Sequence, residues 1–153
     1  MDLPPDFRDL LAELDRAAVD FVLVGGWAVA FHGRPRATKD IDFVLRGTPE
    51  NLARAAQALG AFGAPPSLCD AVRTMAADDV VYLGQPPFRV DFLRSISGVP
   101  AEELFARSIP AELDDVRLRV ASIDDLITNK RAVGRPQDLL DVTFLEKVRA
   151  RRK

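Results

Sequence analysis

The chain has 153 residues, of which 48% are hydrophobic and 29% charged, and its formal net charge is −2. This composition is ordinary for a soluble globular protein with one sizeable core. It provides no overall basic field for a nucleic-acid partner, but it does not exclude a local basic patch. One cysteine, Cys69, and one histidine exclude an internal disulfide and a Cys/His zinc cluster.

The first part of the chain predicts a packing helix followed by a strand–helix–strand unit. It begins without the basic and apolar regions of a signal peptide, and no run approaches the ~20 apolar residues of a membrane span, so we expect a cytoplasmic protein with no membrane partner. Apolar residues at helical spacing predict a helix over 6–18, with Asp6 as its candidate cap. The next predicted elements are a strand over 21–24, a short helix over 26–31 and a strand over 40–45.

Two carboxylates lie side by side in the strand over 40–45. Side chains at i and i+2 of a strand point to the same face, so Asp40 and Asp42 share one face while Ile41 and Phe43 turn to the core. Like charges this close repel, and a hard divalent ion that takes oxygen ligands, Mg²⁺ above all, relieves the repulsion. A solvated strand edge is the alternative interpretation of the pair.

Glycines and basic residues surround this unit. Gly25 and Gly26 follow the first strand, where glycine lets the backbone approach a phosphate and the next helix offers free N–H groups, although a plain turn is the alternative. Arg34, Arg36 and Lys39 precede Asp40; such a charged run is usually a solvated face, but beside a polyphosphate Arg36 could clamp oxygens with two hydrogen bonds.

The middle of the chain predicts a third acidic residue in a hairpin. Before the hairpin, Thr48 caps a helix that runs to about residue 59, and residues 60–66 read as a loop. Apolar runs over 80–83 and 88–93 then predict two strands joined by a four-residue loop. If Val90 and Phe92 face the core, Asp91 faces the other way, either as a site residue or as a solvated edge residue.

The last part of the chain carries a second polar group. It predicts a helix over 99–107, a strand over 116–120, a helix over 123–133 that Ser122 caps, and a last helix through about 148. The second polar group consists of Lys130, Arg135, Asp138 and Asp141. A surface on which Arg135 pairs with the two acids is the plain alternative to a functional role.

The stretch Gly25-Gly26, a gap, and then Asp40-Ile41-Asp42 resembles the signature of the DNA polymerase β superfamily of nucleotidyltransferases. Residues 130–142, Lys-Arg-Ala-Val-Gly-Arg-Pro-Gln-Asp-Leu-Leu-Asp-Val, resemble the C-terminal element of AbiEii-type toxin–antitoxin nucleotidyltransferases. The resemblance covers about 21–145, and it implies an α/β fold in which a mixed sheet carries the acids on one face with helices packed behind. We expect one nucleotidyltransferase domain over 1–153.

The resemblance also implies roles for individual residues. Asp40, Asp42 and Asp91 would bind Mg²⁺, with two ions expected and Mn²⁺ as a substitute metal. Together with Lys130 they form the expected catalytic set. The expected nucleotide-binding residues are Gly25, Gly26, Arg36, Thr38, Lys130 and Asp138, with Asp138 supporting Lys130.

The implied reaction moves a nucleotide from an NTP to an acceptor, which is expected to be RNA such as tRNA, or a protein, with a cognate antitoxin as a further partner. Gly25-Gly26-Trp27-Ala28 also resembles aminoglycoside nucleotidyltransferases, which makes a small molecule a competing acceptor. A catalytically silent binding partner that keeps the fold is the third hypothesis.

Overall fold

A computed structural model describes residues 3–33, 40–85 and 88–152 of the chain. The helices in this part of the chain are α1 Pro5–Arg16, α2 Gly25–Phe31, α3 Pro49–Phe62, α4 Pro66–Arg73, α5 Ala101–Arg107, α6 Ile123–Val133 and α7 Pro136–Arg151. The strands are β1 Phe21–Val24, β2 Asp40–Leu45, β3 Val80–Leu83, β4 Arg89–Leu93, β5 Ile109–Leu113 and β6 Val116–Val120.

The strands form one six-stranded mixed sheet in the order β3-β4-β2-β1-β6-β5, so the predicted α/β class with a mixed sheet is confirmed. β2 lies in the interior, antiparallel to β1 and parallel to β4. β3 and β4 form the predicted antiparallel hairpin. Among the described helices, none is both long and apolar enough to cross a membrane.

Core packing explains why apolar and acidic residues alternate along β2 and β4. Ile41, Phe43, Val90 and Phe92 are almost fully buried, and the rings of Phe43 and Phe92 lie 6.1 Å apart. Burial of such side chains contributes roughly 1.5–3 kcal/mol each, which sets the register because a slip of one residue would reverse the faces. The acidic residues between them are thereby directed to the opposite face.

Several predicted boundaries differ from the structure. Asp6 does not cap α1: Pro4 occupies the cap position and Asp6 lies in the first turn. α3 extends past residue 59 into the expected loop and ends at Phe62, where Gly63 adopts the left-handed conformation. The missed strand β5 contains Pro110, which a sheet edge tolerates because the absent N–H faces no neighbouring strand.

The two predicted helix caps are confirmed. The Thr48 hydroxyl accepts a hydrogen bond from the Asn51 N–H, and Ser122 accepts one from Asp125, so both predicted caps form. Gly33 follows the last turn of α2 with a φ of +114°. Cys69 is buried and unpaired.

Candidate active site

Three carboxylates converge where β2 and β4 run side by side. The parallel register places Asp42 opposite Asp91, and Asp40 lies two residues earlier on the same face. Each acid offers an oxygen atom within 4.8 Å of the others. Asp91 is only 7% exposed and lies on an inner strand, so the solvated edge residue is excluded.

Burial and the neighbouring acids disfavour the ionised form of Asp42. Burial, followed by the charges of Asp91 and Asp40, raises the pKa of Asp42 to about 7. Three close carboxylates offer only oxygen donors, which is the set that a hard divalent cation binds. The residues therefore fit a site for such a cation.

Arg89, to which no role was assigned from the sequence, already pairs with this cluster. Its Nε donates to Asp91 over 2.9 Å, and its terminal nitrogen donates to Asp40 over 2.9 Å and to Asp91 over 3.1 Å. The guanidinium carbon also lies 4.7 Å from the centre of the Tyr82 ring. The signal was present, because Arg89 is two residues before Asp91 in a strand and must share its face.

Gly25 makes room for one of the acids. Its φ of +69° belongs to the left-handed region, and a Cβ built there would lie 2.2 Å from the Asp42 Oδ2. Gly25 is half-buried and is the first residue of α2, whereas Gly26 is buried. Close packing against Asp42 thus explains why residue 25 is glycine, and its phosphate-binding role stays a prediction.

Lys130 belongs to a buried ionic group formed by α6 and α7. Its Nζ lies 3.2 Å from Asp138 and 3.5 Å from Asp141, and all three side chains are at most 6% exposed. The Asp138 carboxylate also accepts from the Arg135 backbone N–H and from its guanidinium. Asp138 therefore contacts Lys130, as expected. Arg135 pairs with Asp138, as in the plain alternative, but both acids are buried and do not form a solvated surface.

Opposing effects determine the ionisation of Asp138. Burial by itself would raise its pKa, but hydrogen bonds from Arg135 and Lys130 outweigh burial and keep the pKa below its ordinary value. Asp138 is therefore a carboxylate that can hold the Lys130 ammonium in place.

The two polar groups are within electrostatic reach of each other. The charge of Lys130 lowers the pKa of Asp42, against the larger effects of burial and neighbouring acids. The charge of Asp42 in turn helps to raise the pKa of Arg135. Tertiary packing thus brings Lys130 toward an acid that lies 88 positions earlier in the chain (130 − 42). Arg36 and Thr38 lie outside the described residues.

Comparisons with known proteins agree with this geometry. The family described as "Nucleotidyl transferase AbiEii toxin, Type IV TA system" matches residues 9–151. A solution structure of the antibiotic-resistance factor ANT(2'')-Ia is similar over 95% of this chain and 86% of its own, with 18% identity and a TM-score of 0.58. A crystal structure of ANT(2'')-Ia with adenylyl-2''-tobramycin is similar over 94% and 91%, with 19% identity and a TM-score of 0.55.

Both structural neighbours have the polymerase β-like nucleotidyltransferase fold, and at this level of identity the likeness establishes the fold alone. No protein of curated function matches the chain significantly in sequence.

Proposed function

This chain belongs to the AbiEii nucleotidyl transferase family and is a nucleotidyltransferase, and from this premise we propose that it moves an NMP from a metal-bound NTP to RNA or protein as a toxin. The observation that carries the proposal is the convergence of Asp40, Asp42 and Asp91 on two parallel strands. The proposed unit is one domain with a catalytic core of about 21–145.

The three acids would hold Mg²⁺, with Mn²⁺ as a substitute. A divalent ion bound there would neutralise phosphate charge and lower the pKa of an attacking hydroxyl, and a pair of ions would clamp both the attacking and leaving oxygens. The fit rests on the all-oxygen donor set and on the raised pKa of Asp42, which records the mutual repulsion of these acids together with their burial.

The reaction forms one bond and breaks one bond at phosphorus. An acceptor hydroxyl oxygen attacks the α-phosphorus, the bond to the β-phosphate oxygen breaks, and pyrophosphate leaves with its electron pair. The hydroxyl proton must go to a base. Asp91 is our candidate because its carboxylate lies within the cluster, opposite Asp42.

Lys130 is proposed to stabilise the negative charge that develops on the leaving group. Asp138 holds the ammonium in a fixed position, and a preorganised cation stabilises charge that develops on the pyrophosphate more than charge in the ground state. Gly25 and Gly26 would present backbone N–H groups to the phosphates, and Arg36 and Thr38 are proposed as further nucleotide contacts from the sequence motif.

A transfer assay tests this function directly. The protein is incubated with each labelled NTP, Mg²⁺ and either total tRNA or cell lysate, and the labelled acceptor is identified as RNA, protein or small molecule. We expect Asp42→Asn to abolish labelling and Asp78→Asn, which changes an exposed acid outside the cluster, to retain it. Equal labelling by both variants would exclude the acid cluster as the catalytic centre.

Growth of a bacterial host separates a toxin from a silent binding partner. Expression of the parent chain should arrest growth, and Asp40→Ala should relieve the arrest, because the toxic effect requires catalysis. Equal arrest by both proteins would favour toxicity through binding. A cognate antitoxin would be recognised as a co-expressed protein that restores growth without loss of the toxin.

A further inference from the structure

Arg89 uses the same carboxylates that the proposed metal would use. Its guanidinium donates to both oxygens of Asp91 and to Oδ2 of Asp40. Two parallel N–H groups on one carboxylate form the strong, planar type of pair that arginine favours. The acid cluster therefore contains a cation supplied by the protein itself.

A guanidinium and a divalent ion at these oxygens oppose each other. Both are positive, they would be a few ångströms apart on half-buried or buried groups, and Coulomb repulsion at such distances is poorly screened. Any carboxylate lone pair used by Arg89 is also weakened as a metal ligand. Loading of the ion and full pairing of Arg89 are thus mutually unfavourable.

Tyr82 offers Arg89 a second partner on the outer side. The cross-strand register pairs Tyr82 with Asp91, so the ring lies on the acid-bearing face, and the residue is 53% exposed. The guanidinium carbon is 4.7 Å from the ring centre, within the range of a cation–π contact. The contact with the ring uses none of the carboxylate oxygens.

We propose that Arg89 is the internal counter-cation of the acid cluster, competing with the divalent ion for Asp40 and Asp91 and withdrawing over Tyr82 when the ion binds. This inference rests on the proposed metal-dependent function. It assigns Arg89 a positioning role: the residue keeps the acids assembled before loading and weakens the binding of the ion. A residue that only aligned the acids for the metal would have the opposite effect on affinity.

Calorimetric titration of the metal-free protein with Mn²⁺ alone, without nucleotide, tests the proposal. We expect Arg89→Met, which keeps an unbranched side chain but removes the guanidinium charge, to bind Mn²⁺ on the order of 10-fold more tightly than the parent. Its melting temperature without metal should fall and its metal-induced rise in melting temperature should grow, because the acids lose their resident cation. Arg89→Lys, which keeps the charge, should bind Mn²⁺ much like the parent.

Arg73→Met is the matched control, since Arg73 is exposed on α4 and pairs with Asp70 away from the acids; its Mn²⁺ affinity should not change. If Arg89→Met fails to fold, Arg89→Gln, which retains an N–H donor without charge, should show the same tighter binding. Unchanged or weaker binding in the uncharged variants would overturn the counter-cation while leaving the parent's metal site intact. Absence of Mn²⁺ binding in every protein would overturn both this inference and the proposed metal dependence.

Discussion

Substitution of Gly25 by alanine tests whether close packing against Asp42 creates the site. The added Cβ would lie 2.2 Å from the Asp42 Oδ2 and 3.1 Å from its Cγ, whereas an ordinary contact starts at 3.4 Å. The carboxylate must therefore retreat by roughly 1 Å, a displacement that costs on the order of 10²-fold in rate when it misplaces a catalytic constellation. Asp42 is the far end of a side chain, so the fold itself can survive this change.

The left-handed backbone adds a separate cost in stability. With a φ of +69° at residue 25, an L-residue loses about 1–2 kcal/mol relative to glycine. Gly134→Ala is a control matched in φ, because Gly134 has a φ of +72° and, among the residues that the structure describes, its added Cβ would meet only the Arg131 carbonyl oxygen at 3.5 Å. Both variants should lose similar free energy of unfolding in urea titrations.

The two variants should differ in Mn²⁺ affinity and in nucleotidyl transfer. We expect both quantities to fall by about 10²-fold in Gly25→Ala and to change little in Gly134→Ala. A Gly25→Ala variant that binds Mn²⁺ and transfers nucleotide as well as Gly134→Ala would refute the reasoning, since Asp42 would then function from a displaced position.

Three further predictions concern charge and burial. Lys130→Met should slow single-turnover transfer by on the order of 10²-fold. It should also lower the free energy of unfolding by about 3–5 kcal/mol, because buried acids lose a partner. Lys147→Met, on the exposed face of α7, should change neither quantity. Because the pKa of Asp42 is raised, the metal-free folded protein retains a proton that the unfolded chain releases. The melting temperature of the metal-free protein should therefore decline as pH rises from about 4 to 7, and Asp42→Asn should show a smaller decline. Asn51→Leu should cost about 3 kcal/mol in chemical denaturation, because the fully buried amide holds the carbonyls of residues 20 and 46 and an N–H, while Gln57→Leu on the exposed face of α3 should be nearly neutral.

Local chemistry in the sequence was sufficient for most elements and for the acidic pair. Strand alternation alone places Asp40 and Asp42 on one face, because the two-residue period holds wherever the strand lies in the sheet. The caps at Thr48 and Ser122 are likewise local, since a hydroxyl bonds an N–H three residues away. Local sequence did not fix every boundary: α3 continues past Gly60 to Phe62, whose side chain packs partly against the core.

Tertiary structure alone decided which distant groups meet. The pairing of Arg89 with Asp40 depends on the parallel register of β2 and β4, and the burial of Lys130 depends on α7 folding back on α6. The contact between Gly25 and Asp42 likewise needs two strands in register. Sequence periodicity specifies the face on which a side chain lies, whereas distances between charges, and hence their pKa values and partners, arise only when separate elements share a core.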